Sequence, residues 1–562
     1  MRMRVGFPTR IPANRHGLCP IEKTINRRLS MAAFRLKTAL LAGALALTLP
    51  LAAAPVLAQG KVLRWASQGD YLTMDPHSQN EGLTRTGSFQ TYEGLVGYSA
   101  DLKFVPALAT SWKAVNDTTW EFKLRQGVKF HDGADFTADD VVFSVKRAQH
   151  PASDFKTYIA SVKEVKKIDS HTVHVETNGA NPILPNQIAN IFILSKAWAE
   201  KNNVVNPQSY KDKEETFAVR NTNGTGPFML KQREQDVRTV MVRNPTWWGL
   251  KDNPHNIDEI VYTPVTTPAT RVAALLSSQL DFVLDVPVQD VERVKRSPGL
   301  QVKKTNEIRS IFLGLDVGSA ELKYSDVKGK NPFADKRVRQ AMYHAIDMQA
   351  IAQKVMRGDA VVAGMITSPG VHGYNTAIDK RLPYDVNKAK ALLKDAGYPN
   401  GFGVKLDCSN DRYVNDEGVC QAVVGMLAQA GIKVDLAAQS KTLHFPKLQK
   451  KDTSFFLLGW GVPTFDSHYV FSYLVQTPDG KNGSWNFTNY SNPKLDAMFN
   501  GMLSELDQGK RDKLIADAWN IINDEVIYLP LHHQVLNWAM SDKLDMPIIA
   551  DNVPRFHFAK MK

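Results

Sequence analysis

Between Ala107 and Arg147 the chain reads ALATSWKAVNDTTWEFKLRQGVKFHDGADFTADDVVFSVKR, which spells out one supersecondary unit. Asn116-Asp117 signals a turn. Trp120, Phe122 and Leu124 then alternate with Glu121, Lys123 and Arg125, and a period of two with one apolar face predicts a half-buried strand. Gln126-Gly127 turns the chain, Val128 to Phe130 is a second short extended piece, and His131-Asp132-Gly133 turns it again. Thr137 stands where an N-cap stands, ahead of Asp139 and Asp140. Its hydroxyl can accept an orphan backbone N–H, and the two acids suit the positive end of the helix dipole. The unit is strand, turn, strand, turn, capped helix.

This stretch resembles the signature region of the family 5 extracellular solute-binding proteins, the dipeptide, oligopeptide and nickel-binding class that serves ABC importers. The resemblance rests on Ala107, Trp112, Phe122, Leu124-Arg125, Gly127-Val128, Phe130 to Gly133, Phe136-Thr137 and Asp139 to Val141. It continues through Gly224-Thr225-Gly226-Pro227-Phe228 and through YDVNKAKALLKDAGYPNGF at residues 384–402. In the second block Asp385 is an N-cap. Ala389, Leu392, Leu393 and Ala396 fall at helical spacing, and Gly397 stops the helix. The family implies an α/β, two-lobed periplasmic binding protein fold with a hinge. Lobe one would gather 59–91, 225–305 and 533–562, with 92–224 as an extra inserted subdomain, and lobe two would be 306–532. The partners implied are a small organic solute and an ABC permease. No cofactor is implied.

Composition agrees with a secreted globular chain rather than a nucleic-acid binder. The formal charge of +12 is concentrated at the start. Residues 1–58 hold nine Lys/Arg against one acid, leaving 60 basic and 56 acidic residues, a net +4, in the rest. That remainder shows no basic stripe with interleaved aromatics. Arg35 and Lys37 precede the apolar run Ala39–Leu49, and small residues lead to Ala58. This pattern predicts a leader over 1–58 with a cleavable signal peptide, starting at Met31 and cut after Ala58. No Cys follows the apolar run, so no lipid anchor is expected, and a periplasmic monomer is. Other readings of the remaining elements are strands at Val62–Ala66, 281–286, Phe455–Trp460 and Val535–Met540, a hairpin around Asp169-Ser170, and helices over Pro268–Ser278, 337–347 and Lys510–Asp524.

Export would place Cys408 and Cys420 in an oxidising compartment, where twelve residues of separation permit a bridge or leave two buried thiols. A solute site needs a cleft, convergent polar groups and aromatic walls. By the resemblance, Gly459-Trp460 matches the Gly-Trp that lines the family's ligand site. Arg412 falls where dipeptide binders carry the Arg that holds the peptide carboxylate; a planar guanidinium suits that group, and an interlobe salt bridge is its other reading. Where those binders place an Asp for the α-amino group, three residues after the Trp, this chain has Pro463. Asp466 is the nearest acid that could receive an amine; otherwise it caps a turn or helix. The expected solute is therefore peptide-like and carries a carboxylate, with a nickel complex as the second reading. His532 and His533, adjacent in an extended run, point to opposite faces and cannot chelate together. No HExxH, CxxC or GxSxG pattern argues for an enzyme.

Overall fold

The computed structural model describes residues 60–562. The expected signal peptide and its cleavage site lie outside the described residues. Among the described residues no helix is long and apolar enough to cross a membrane.

Two long strands, Leu300–Leu315 and Tyr528–Ser541, lie antiparallel at the middle of an eleven-stranded mixed sheet. Phe455–Gly461, Gly403–Ser409 and Lys433–Gln439 extend the sheet from the first of them. Phe282–Val283, Val62–Ser67, Glu259–Pro264, Arg238–Arg243 and Phe228–Glu234 extend it from the second, and Ala360–Val362 joins Tyr528–Ser541 as a branch. Residues 528–540 are all buried, as a central strand covered on both faces requires.

The central pair keeps register from Leu300 opposite Ser541 to Asn306 opposite Val535, then resumes at Ser310 opposite His533. Residues 307–309 therefore face the single residue Gln534. Such a bulge bends a strand and sharpens its twist. Gln534 pins it from the far side: its amide donates to Glu307 Oε2 at 2.5 Å and its carbonyl accepts from the Val414 N–H at 3.1 Å.

Each side of this pair has its own apolar core. Trp65, Tyr262, Phe282, Trp538 and Phe556 pack on one side. Leu313, Val338, Met342, Leu393, Leu406 and Leu457 pack on the other. The expected helices form as Pro268–Leu276, Lys336–Ala345, Val386–Asp395 and Gln508–Glu525. The Asp385 carboxylate caps the third, accepting from Lys388 N at 2.8 Å. The strand read over 281–286 shortens to Phe282–Val283, because Asp285 takes a left-handed φ of 57° and ends the ladder.

A separate four-stranded antiparallel sheet orders Ala109–Asn116, Thr119–Leu124, Thr172–Thr177 and Val162–Asp169. Phe122 and Leu124 are buried as the alternation requires. Val128 to Phe130 is no strand; confined between turns with left-handed glycines at Gly127 and Gly133, it manages one bridge, Lys129 to Asp135. Thr137 caps helix Ala138–Ala148 through a reciprocal box, Thr137 Oγ1 accepting from Asp139 N at 3.3 Å and Asp140 Oδ2 from Thr137 N at 2.9 Å. Arg147 in its last turn forms a buried double hydrogen bond with Asp75, at 2.6 and 2.7 Å. Cys408, at the end of strand Gly403–Ser409, is disulfide-bonded to Cys420 in helix Asp416–Gln429, with Cα atoms 6.7 Å apart.

Candidate solute-binding site

A narrow cavity of about 70 Å³ opens beside the bulge in the central strands. The bulge supplies Ile308 and Arg309. Strand Phe455–Gly461 and the loop after it supply Leu458 to Pro463, and the segment after strand Gly403–Ser409 supplies Arg412 and Tyr413. From the other side of the sheet come Asn80, Glu81, Gly82 and Arg85 at the start of helix Gly82–Thr91, with Asp551 and Val553.

Trp460 is the aromatic wall. Its ring stacks on Tyr469 at 5.6 Å and lies 5.3 Å from Trp485. Its Nε1 is buried without a hydrogen-bond acceptor. Gly459 has no room for a side chain: a Cβ there would lie 2.5 Å from Ile311 and 2.6 Å from the Tyr413 ring. Its carbonyl instead accepts from Arg309 Nη1 at 3.1 Å and from Tyr413 OH at 3.2 Å.

Glu81 organises the charges. It caps helix Gly82–Thr91, accepting from Leu83 N at 3.2 Å and Thr84 N at 2.8 Å. Arg412 Nε lies 2.7 Å from its Oε1 and Lys441 Nζ 3.3 Å from its Oε2. Burial alone would raise the Glu81 carboxyl, but the charges of Lys441 and Arg412 and the Thr84 hydrogen bonds hold it well below the usual carboxylate range. Arg309 is paired in turn with Glu307 at 2.7 Å. A Cβ on Gly82 would lie 3.0 Å from Arg412 Nη2 and 3.5 Å from Arg309 Nη2. The outer nitrogens of both guanidinium groups thus converge on one short piece of backbone at a helix N-terminus.

The loop that carries Arg412 is braced from within. Asp416 Oδ2 accepts from Ser409 Oγ at 2.8 Å and from the N–H groups of Arg412 and Tyr413 at 3.1 Å. Gly224 and Gly226 serve the opposite wall. A Cβ on Gly224 would collide with the Thr91 carbonyl, and one on Gly226 would come within 2.7 Å of the Gln90 oxygen. Only bare backbone lets the Gly224–Phe228 turn press against the end of the helix that bears Arg85.

Three of the four expected site residues, Arg412, Gly459 and Trp460, come together in this cavity. Asp466 does not join them. It caps the short helix Ser467–Val470, and Arg511 donates to both of its oxygens at 2.8 Å, with His372 Nδ1 2.9 Å from Oδ2. A carboxylate so fully occupied has no capacity left for a solute amine, and the amine expectation is corrected accordingly. Pro463 does line the cavity, and its carbonyl accepts from Tyr98 OH at 3.1 Å. Glu81, Arg85, Arg309 and Asp551 escaped sequence reading. Glu81 and Arg85 share one helix start, Arg309 and Asp551 lie hundreds of residues away, and only the Glu81-before-helix position carried a local signal. His532 and His533 lie outside the cavity; His533 meets Ser310 Oγ at 2.8 Å and Asp379 Oδ2 at 3.0 Å.

The fold is that of the two-lobed periplasmic binding proteins, and solved structures of that fold superpose on this chain. DppA of Helicobacter pylori, an ABC transporter-associated periplasmic binding protein in complex with the peptide STSA, has a TM-score of 0.78 at 24% identity, covering 89% of this chain and 98% of that one. AgaA from A. tumefaciens R10, in complex with agropinic acid, also gives 0.78 at 24% identity, over 89% and 99%. The profile of the bacterial extracellular solute-binding proteins, family 5, matches residues 103–482, and this chain belongs to that family. Among curated relatives, the glutathione-binding protein GsiB of Salmonella typhi is 27% identical over 509 residues, 89% of this chain and 94% of its own length.

Proposed function

We propose that this ABC-importer solute-binding protein captures a small peptide-like acid in the cavity between its lobes. The convergence of Arg412 and Arg309 Nη2 on Gly82, facing the Trp460 wall, carries the reading. The solute's carboxylate lies across the two outer guanidinium nitrogens, a planar match that Lys could not make. Its body packs on Trp460, whose buried Nε1 donates to a solute oxygen. Gly459 contributes the close approach of its backbone. The glutathione-binding relative and the peptide-bearing neighbour support this class of solute.

The lobes meet at the register break, near 306 and 532/533, with 92–224 as an inserted subdomain of lobe one. Solute touching both lobes favours the closed arrangement, which then docks on the permease. A micromolar affinity corresponds to about 8 kcal/mol, within reach of a few charge-assisted hydrogen bonds and one aromatic wall. A cleaved signal peptide, no lipid anchor and a monomeric state in the periplasm complete the proposal.

Isothermal titration of the purified protein with glutathione and a panel of acidic dipeptides tests it. Arg412→Gln is expected to weaken the best binder at least tenfold. Unchanged affinity in that variant would remove Arg412 from the site.

A further inference from the structure

Arg85 is the feature of the cavity that the reading above leaves unexplained. Its side chain is buried, with 6% exposure, yet it lines the cavity. Its hydrogen-bond partners are all neutral: Asn80 Oδ1 at 3.1 Å, Asn190 Oδ1 at 2.7 Å and Tyr158 OH at 3.4 Å. A guanidinium has five N–H donors, so these three bonds leave Nε–H and one Nη2–H unclaimed among the described residues. The acid that shares the cavity, Asp551, is already joined to Arg555 at 2.7 Å. Among the described residues no carboxylate forms an ion pair with Arg85. The Arg412 end differs: there Arg412 and Arg309 each have a carboxylate at 2.7 Å, Glu81 and Glu307 respectively.

A buried charge without a counterion is costly, and proteins keep one where a ligand supplies the opposite charge. The surroundings are preset for that event. Asn190 Oδ1 is itself held by Tyr98 OH at 3.0 Å, and Asn80 Nδ2 donates to Tyr469 OH at 2.8 Å, so the guanidinium is fixed before any solute arrives. The ring of Phe89, 5.3 Å away, covers one of its faces. Arg85 sits three residues along the helix from Gly82, about 4.5 Å of rise at 1.5 Å per residue. The groups that hold it, Asn80, Asn190 and Tyr158, are none of those that hold Arg412 and Arg309, and its anion position is read as a second one.

We infer that Arg85 anchors a second acidic group, so that the cognate solute is a diacid held by Arg412 and Arg309 at one end and by Arg85 at the other. This inference rests on the proposed carboxylate site and sharpens its substrate class from peptide-like acid to peptide-like diacid.

The test has two arms. In the first, Arg85→Met, which keeps an extended side chain and removes the charge, is melted without solute. An unanswered charge predicts a melting temperature equal to the parent's or above it, within about 3 °C on the low side. A larger drop overturns the inference, because it makes Arg85 a structural cation satisfied by its neutral partners. In the second arm, glutathione and its two mono-amides, one at each carboxylate, are titrated into wild type and Arg85→Met. The expected result is that one amide loses at least tenfold against glutathione in wild type, and that Arg85→Met abolishes this difference. Wild type that binds all three alike, or a variant that still discriminates as wild type does, overturns the diacid assignment and leaves the peptide reading standing. Wild type that binds none of the three, together with an empty acidic-dipeptide panel, overturns the peptide reading and the assignment with it.

Discussion

Glu81 Oε1 and Arg412 Nε meet at 2.7 Å, joining the N-terminus of helix Gly82–Thr91 to the loop after strand Gly403–Ser409. Both side chains are almost wholly buried, and Lys441 completes the group. Glu81→Gln leaves two buried cations short of their counter-charge, a loss of about 3 kcal/mol. Urea denaturation should show it as a lower midpoint with an unchanged slope. Small-angle scattering of the empty variant should report a larger radius of gyration, since this pair ties together segments of the two proposed lobes.

Trp460→Phe separates the wall from the donor. The ring remains to pack on Tyr469, while the buried, unpartnered Nε1 disappears. Stability of the empty protein should hold within about 1 kcal/mol, because an unsatisfied donor has been removed from the interior. Solute affinity should fall roughly tenfold if that N–H meets a solute oxygen. Calorimetry and thermal melting read the two effects independently.

The disulfide can be tested through the loop it closes. Arg412 and Tyr413 lie within the twelve-residue interval between Cys408 and Cys420. Replacing both cysteines by Ser should lower unfolding free energy by about 3 kcal/mol on the chain-entropy account. It should also weaken solute binding, as the loop bearing Arg412 loses one of its two braces. Asp416 remains as the other.

His372 gives a pH signature. Its hydrogen bond to Asp466, helped by the charge of Asp466 and a bond to Asp512, raises its pKa above the usual histidine value. A raised pKa in the folded state adds stability that is fully present below the ordinary histidine pKa and is lost as pH rises through the folded one. Wild type should therefore lose stability relative to His372→Gln between about pH 6 and pH 8. Parallel melting curves across that range would show no such contribution.

Local patterns were the legible part of this chain. Thr137 with Asp140, Asp385 ahead of Ala389 and Leu393, and the alternation at Trp120–Leu124 are decided within a few residues, and the structure realises each. Gly459-Trp460 was reached through the family resemblance, and the structure sets both residues on the cavity wall. The readings that fell short depended on partners elsewhere. Asp466 looked available until Arg511, 45 residues on, took both of its oxygens. Arg85 carried no signal at all, since the meaning of a charged residue lies in whether an opposite charge reaches it. That is a property of packing among segments hundreds of residues apart.

The bulge at residues 307–309 has a consequence for how this molecule can be tuned. Ile308 and Arg309 are at once the place where the central strand bends and two of the residues that line the cavity. On the proposed assignment of this bulge as hinge and this cavity as solute site, grip and flexure fall on the same peptide units, with no intervening relay. On that proposal a substitution at either residue is expected to change selectivity and motion together. Divergence towards new solutes has freer play on the walls supplied by Arg85, Trp460 and Asp551, where chemistry can change without retuning the joint.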